Sequence, residues 1–173
     1  MKKLSLLLLG MALTSTAAPL QERVQEFIKN HEGKVRPLEK TANLAWWEAN
    51  TSGKDEDYKK KEEAQNALDE FLANKERYET VSALHKEARS ASTLSSEERR
   101  QIDLLFLQYQ EKQIPADLLK KLVAKANSIE KIFNNYRAKV GEKEMSDSEV
   151  KKVLKESSDS EMRKAVYLAS KGV

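Results

Sequence analysis

The chain has 173 residues, 34% of them charged and 6% aromatic, and its 31 basic side chains nearly balance 28 acidic ones for a net charge of +3. Such a balance leaves no basic footprint for a nucleic acid or an anionic membrane. The absence of cysteine excludes a disulfide framework, a lipid-modified N-terminal cysteine and a thiol nucleophile, so the fold must hold together by packing alone.

Met1-Lys2-Lys3 opens the chain, an apolar run from Leu4 to Leu13 follows, and Ser15, Thr16, Ala17 and Ala18 close the stretch with small side chains. This order is that of a secretory signal peptide cleaved before Ala18. The run is shorter than the roughly 20 residues a membrane span requires. The protein is therefore expected to be exported, to the periplasm or the medium, with no membrane partner after cleavage. Removal of residues 1–17 leaves 156 residues and a net charge of +1, enough chain for one domain with its own core.

From Val24 the positions Val24, Ile28, His31, Val35, Leu38, Ala42, Ala45 and Ala49 recur every three or four residues, which predicts a long amphipathic helix. Gly33 and Pro37 fall inside it, and a proline that removes a backbone donor predicts a bend there. Asn50-Thr51-Ser52-Gly53 ends the segment. The acidic run Asp55-Glu56-Asp57 suits the positive end of a helix dipole and starts a second helix that buries Tyr58, Ala64, Leu68, Phe71 and Leu72. A third helix uses Tyr78, Val81, Leu84 and Ala88.

Ser95 with Glu98 forms a capping box, in which hydroxyl and carboxylate satisfy free backbone donors, and opens a fourth helix with Ile102, Leu105, Phe106 and Tyr109 inward. Pro115 fits the first turn of a fifth helix, where its missing N–H costs nothing, and Leu118, Leu122, Ala126, Ile129, Phe133 and Tyr136 form its apolar side. The period then changes to two at Tyr136, Ala138 and Val140; with Gly141-Glu142 as a turn and Lys143-Glu144-Met145 as the return, the pattern predicts a β-hairpin. Ser146 with Glu149 and Ser158 with Glu161 predict two further capped helices, with faces Val150, Val153, Leu154 and Met162, Ala165, Val166, Ala169. The chain stops at Gly172-Val173, on an apolar residue just after a helix-stop glycine, and this ending leads us to expect a further segment. The expected fold is mainly α: an antiparallel helical array with one short β-hairpin near 136–146.

Sites with familiar chemistry have recognisable spacings. A zinc peptidase of the commonest kind places two histidines one turn apart as HExxH, but His31-Glu32 is followed by Gly33-Lys34-Val35, and His85-Lys86-Glu87 departs at once. Two isolated histidines cannot cage zinc. No GxSxG elbow and no GxxxxGK phosphate loop occur. The acidic pairs Glu62-Glu63 and Glu97-Glu98 read as solvated helix faces or caps. His31, on the apolar stripe, reads as a packed core histidine. Trp46 and Trp47 stand about 100° apart on a helix, so one of them faces a groove or partner unless the core stripe is simply wide there. No position is assigned a catalytic or metal-binding role.

Ala42-Asn43-Leu44-Ala45-Trp46-Trp47-Glu48-Ala49-Asn50-Thr51-Ser52-Gly53 resembles the end of the first long helix in the zinc metallopeptidases typified by angiotensin-converting enzyme, and more distantly in the related oligopeptidases. Asp57-Tyr58 onward is similar to that family's second helix. Ile114-Pro115-Ala116, the segment Tyr136-Arg137-Ala138-Lys139-Val140, and Ser158-Asp159-Ser160-Glu161-Met162-Arg163 followed by Ala169-Ser170-Lys171-Gly172-Val173 resemble later family segments in the same order. The resemblance covers nearly all of residues 18–173 but only the first part of the family's domain.

It implies a helical zincin that removes dipeptides from peptide C-termini, whose first helices form a lid over a deep cleft. The zinc-binding helix of that family has no counterpart in this sequence. The resemblance thus implies a lid and outer-wall region, inactive alone, with Trp46, Trp47 and Asn50 at lid or groove positions. Its partner would be the missing C-terminal catalytic part, with zinc and peptide substrate bound only in the full-length form. A second expectation is a self-sufficient exported helical binding or scaffold protein with the tryptophan region as its contact surface. The first reading predicts exposed apolar surface on the last two helices and near Trp46 and Trp47.

Overall fold

The computed structural model describes residues 18–172, so the signal-peptide expectation for residues 1–17 lies outside the described residues. The described chain is mainly helical, with seven helices and one two-stranded antiparallel sheet. In chain order the elements are α1 (Leu20–Ser52), α2 (Asp55–Leu72), α3 (Lys75–Ala88), α4 (Ser96–Glu111), α5 (Ala116–Asn135), β1 (Ala138–Val140), β2 (Lys143–Met145), α6 (Asp147–Glu156) and α7 (Ser160–Ala169).

α1 is the spine. Val24, Phe27, His31, Val35, Ala42, Ala45 and Ala49 form its buried face at intervals of three to seven residues, and the helix runs through Gly33 and Pro37 as one element. It ends at Gly53, whose φ of 69° is a left-handed conformation that a side chain would strain. Asn135 at the end of α5 donates to the Gly53 carbonyl at 3.0 Å. The helix-stop glycine therefore also joins α1 to α5.

Three helix pairs pack antiparallel. His31 meets Phe71 and Asn50 meets Tyr58 across α1 and α2. Arg77 reaches Tyr109 and His85 reaches Asp103 across α3 and α4. Lys61 pairs with Glu130 and Lys120 with Glu70 across α2 and α5. α4 lies parallel to α1, since Gln21 meets Glu98 and His31 meets Tyr109. The main core lies where α1, α2, α3 and α4 converge and holds Val24, Phe27, Leu72, Val81, Leu84, Ile102 and Tyr109. Complete burial of a side chain such as Ile102 stabilises the fold by about 1.5–3 kcal/mol.

The capping box at Ser95 and Glu98 is formed, with Glu98 N–H donating to Ser95 Oγ at 3.1 Å and Ser95 N–H donating to Glu98 Oε2 at 2.9 Å. The Ser95 backbone donor, then Gln25 and Gln21 from α1, hold the Glu98 carboxyl at a pKa of about 2. The local signal that starts α4 thus also fastens it to the spine. The hairpin takes the expected register, Ala138 opposite Met145 and Val140 opposite Lys143. Gly141 has φ 61°, which the first central position of a tight hairpin turn demands. Ala138, Met145, Val150 and Val166 close a second, small core between the hairpin, α6 and α7.

Three expectations are corrected. α7 begins one residue later than a Ser158 cap requires: Asp159 is the cap, accepting from Glu161 N–H and Met162 N–H, because a carboxylate satisfies both donors and carries charge complementary to the helix N-terminus. On α5 the side read as buried is open, with Leu118, Leu122, Ile129 and Phe133 exposed while Leu119 and Asn127 are buried. The apolar arc of this helix is wider than the one neighbour, α2, can cover. Of the last two helices only α7 exposes large apolar residues, Met162, Tyr167 and Leu168; α6 turns Val150 into the small core, with Val153 and Leu154 packed around it.

Candidate functional site

The residues singled out at the end of α1 lie together, with different surroundings. Trp46 turns toward α5, where its indole N–H donates to Glu130 Oε1 at 2.7 Å. Asn50, one turn on, donates to the same oxygen at 2.9 Å and to the Trp46 carbonyl at 2.9 Å. Lys61 from α2 completes the cluster with an ion pair to Glu130 Oε2. Asn50 Oδ1 in turn accepts from Asn134 and, at 3.4 Å, from the buried Tyr58 hydroxyl. Trp47 points away: 63% of its surface is exposed, and its indole N–H has no partner among the described residues. Of the pair, Trp46 belongs to the groove and Trp47 to the open surface beside exposed Leu44.

Burial pushes the Glu130 carboxyl up, but the donors from Lys61, Asn50 and Trp46 outweigh it and leave its pKa below the ordinary carboxylate value. A carboxylate with its acceptors occupied and its basicity lowered grips helices together and is a poor proton acceptor. Asn127, one turn before Glu130 on α5, is buried and donates to the Tyr58 carbonyl at 3.0 Å and to Glu62 at 3.3 Å. Asn127, Glu130 and Asn134 make a polar stripe at helical spacing that sequence reasoning did not pick out. The interruption of the apolar pattern of α5 at those three positions is the signal that marks it.

Beside this stripe, α1, α2, α5 and the end of α4 line an open cleft of about 550 Å³. Trp46, Leu119, Leu122 and Val123 form its apolar wall, and Lys61, Glu62, Asp69 and Lys112 its polar one. Asp69 is buried and ion-paired with Lys112 at 3.2 Å, so most of the charge in the cleft is already neutralised. The arrangement suits apolar packing with a polar margin. It holds no nucleophile paired with a base.

The histidines are placed as packing groups. His31 is 5% exposed, and its Nδ1 lies 3.0 Å from the Tyr109 hydroxyl. Arg77 Nε–H donates to that hydroxyl at 2.8 Å, which leaves the tyrosine proton for His31 Nδ1. Burial, then the nearby Arg77 charge, lowers the His31 pKa to about 4. His85 stacks on Phe106 with ring centroids 4.3 Å apart and faces Asp103 at 3.1 Å. The zinc that the family resemblance implies does not fit these donors: each imidazole is committed to its own helix pair, and no three His, Asp or Glu side chains converge among the described residues.

No helix among the described residues is long and apolar enough to cross a membrane. Compared with known proteins, the chain matches no family profile, no curated protein and no solved structure.

Proposed function

We propose that this chain is the lid and outer-wall region of an exported zinc metallopeptidase of the peptidyl-dipeptidase type, contributing helical wall and groove residues and no zinc ligand. In this reading Trp46 and Asn50 hold the groove edge through Glu130, and Trp47 with the open faces of α5 and α7 meets the rest of the catalytic domain. The peptide substrate binds only to the assembled enzyme.

One observation carries the reading: two helices leave large apolar side chains uncovered along one face each, and contiguous apolar surface of that kind marks a contact site on a soluble protein. Much of what is exposed is apolar, including Leu118, Leu122, Ile129, Ile132 and Phe133 on α5 and Tyr167 and Leu168 on α7.

The test is genetic and biochemical. Reading the gene beyond codon 173 is expected to reveal an HExxH-encoding frame, and co-expression with that downstream product is expected to yield zinc-dependent release of C-terminal dipeptides that neither part gives alone. Unrelated sequence downstream removes the proposal. A second reading, a self-sufficient exported binding or scaffold protein, is favoured by the closed core around Tyr109. It predicts a cooperative thermal transition in a monomer, whereas an incomplete wall aggregates or binds hydrophobic dye.

A further inference from the structure

The fold leaves one buried polar atom over at the cleft beside Glu130. The Asn127 side-chain nitrogen is spent on the Tyr58 carbonyl at 3.0 Å and on Glu62 Oε2 at 3.3 Å. Both partners are acceptors, which fixes the orientation of the amide and leaves its oxygen as the atom without a donor among the described residues. Asn127 is only 9% exposed and lines the cleft. A buried carbonyl oxygen in that state carries its desolvation cost until something donates to it.

Charge decides what that donor is. Four carboxylates, Glu62, Asp69, Glu111 and Glu130, line the cleft against the two ammonium groups of Lys61 and Lys112. Lys61 pairs with Glu130, and Lys112 with Asp69 and Glu111. Half-buried Glu62 has no cationic partner among the described residues and is hydrogen-bonded to Asn127. An ammonium group answers both deficits at one point, because it is cationic and its three N–H bonds can be shared between a carboxylate and an amide oxygen.

The opposite wall sets the rest of the ligand. Trp46, Leu119, Leu122 and Val123 are apolar, and the Trp46 ring is held in place by its bond to Glu130. A volume of about 550 Å³ is that of a small-molecule site. We propose that this cleft binds a small amphipathic primary amine, with its ammonium between Glu62 and Asn127 and its apolar body against Trp46 and Leu122. The site is made by this chain alone, so it goes beyond the peptidase reading and does not rest on it.

The experiment titrates the full chain with phenylpropylamine, phenylpropanol and phenylpropionate, which share one apolar body and differ in the terminal group. Nitrogen–proton NMR spectra follow the Trp46 indole and the Asn127 side-chain amide. The amine is expected to shift both resonances and to bind about 10-fold tighter than the alcohol, the worth of one charge-assisted hydrogen bond, with the carboxylate weakest. Glu62→Gln, which keeps an acceptor for Asn127, is expected to bring the amine down to the alcohol. Leu122→Ala, at an exposed position, is expected to weaken amine and alcohol alike by about 3-fold with Tm unchanged.

Equal affinity for the amine and the carboxylate overturns the proposal, as does amine binding that Glu62→Gln leaves unchanged. Amine binding that moves other resonances while those of Trp46 and Asn127 stay still also overturns it, by placing the site elsewhere. Absence of binding by the folded chain does the same and leaves the Asn127 oxygen to an internal water. The presence or absence of an HExxH frame downstream changes none of these outcomes, so this proposal and the peptidase reading fail separately.

Discussion

The two ends of the helical array are finished differently. Where α1, α3 and α4 meet, Tyr109 is wholly buried, its hydroxyl set between Arg77 and His31, with Phe27 and Phe71 packed around it and the Arg77 guanidinium 4.6 Å over the Phe71 ring. Where α1, α2 and α5 meet, the interior is a polar stripe bound to Glu130, and the large apolar side chains of α5 lie outside. The first region is closed on itself, whereas in the second Glu130 is fully bonded and the large apolar side chains are open, with Asn127 Oδ1 buried and without a partner. The contrast sets packing of apolar groups at one end against a polar network at the other, where a buried acceptor left unpaired carries its desolvation cost.

Mutation at paired positions gives the widest contrast between the two. Ile102→Ala in the closed core is expected to cost about 2–5 kcal/mol, the transfer energy of the lost methylenes plus the cavity left behind. Ile129→Ala on the open face is expected to stay within about 0.5 kcal/mol. Urea denaturation of the two variants measures both; equal losses would mean that the α5 face is buried in solution.

Acid sharpens the same contrast, because above the carboxylate range it acts on His31 of the closed region, while Glu130 of the open region responds only at lower pH. Unfolded His31 takes up a proton near its ordinary pKa of 6.5, and the folded chain does not bind it until about 4. Between those values the unfolded state holds more protons, so stability falls as pH falls through that window, and below it the whole His31 contribution, about 3 kcal/mol, is gone. Stability measured from pH 7 down to pH 4 is expected to show this slope. His31→Gln is expected to flatten it, and an unchanged slope would move the acid sensitivity to another group.

At the open end, Glu130→Gln tests whether the polar stripe is what holds α5 in place. Lys61, with only 12% of its side chain exposed, would keep its charge and lose its partner. The expected loss is about 1–2 kcal/mol at neutral pH, since a partly buried charge without its partner carries its desolvation cost. Lys61→Met together with Glu130→Gln is expected to recover part of it, and a double-mutant cycle reads the coupling directly.

How far these features are legible in the sequence follows from how local their causes are. The α4 start is written in Ser95 and Glu98, and the hairpin in the alternation around Gly141, because the groups that fix each lie within a few residues. The Lys61–Glu130 pair spans 69 residues, and nothing in either neighbourhood announces the other. The α5 stripe is readable as apolar from its spacing, but which half of a wide apolar arc is covered depends on where α2 lies. Among the residues named beforehand, Trp46 and Asn50 do share one carboxylate, whereas Trp47 is separated from them by a single step of helical rotation.

The smallest expected effect lies at α7, where two adjacent residues compete for one role. Ser158 with Glu161 has the spacing of a capping box, yet the Asp159 carboxylate accepts from Glu161 N–H at 2.9 Å and from Met162 N–H at 3.1 Å. Asp159→Ala is therefore expected to cost about 1 kcal/mol, the usual loss of an N-cap acceptor, and to speed hydrogen exchange at those two amides. Ser158→Ala is expected to do neither. Because α7 carries Val166 into the small core and Tyr167 and Leu168 to the open surface, loosening its first turn also loosens the presentation of that surface. If Ser158→Ala proves the costlier change, the helix begins one residue earlier in solution, with Ser158 as its cap and Val166 still turned into the small core.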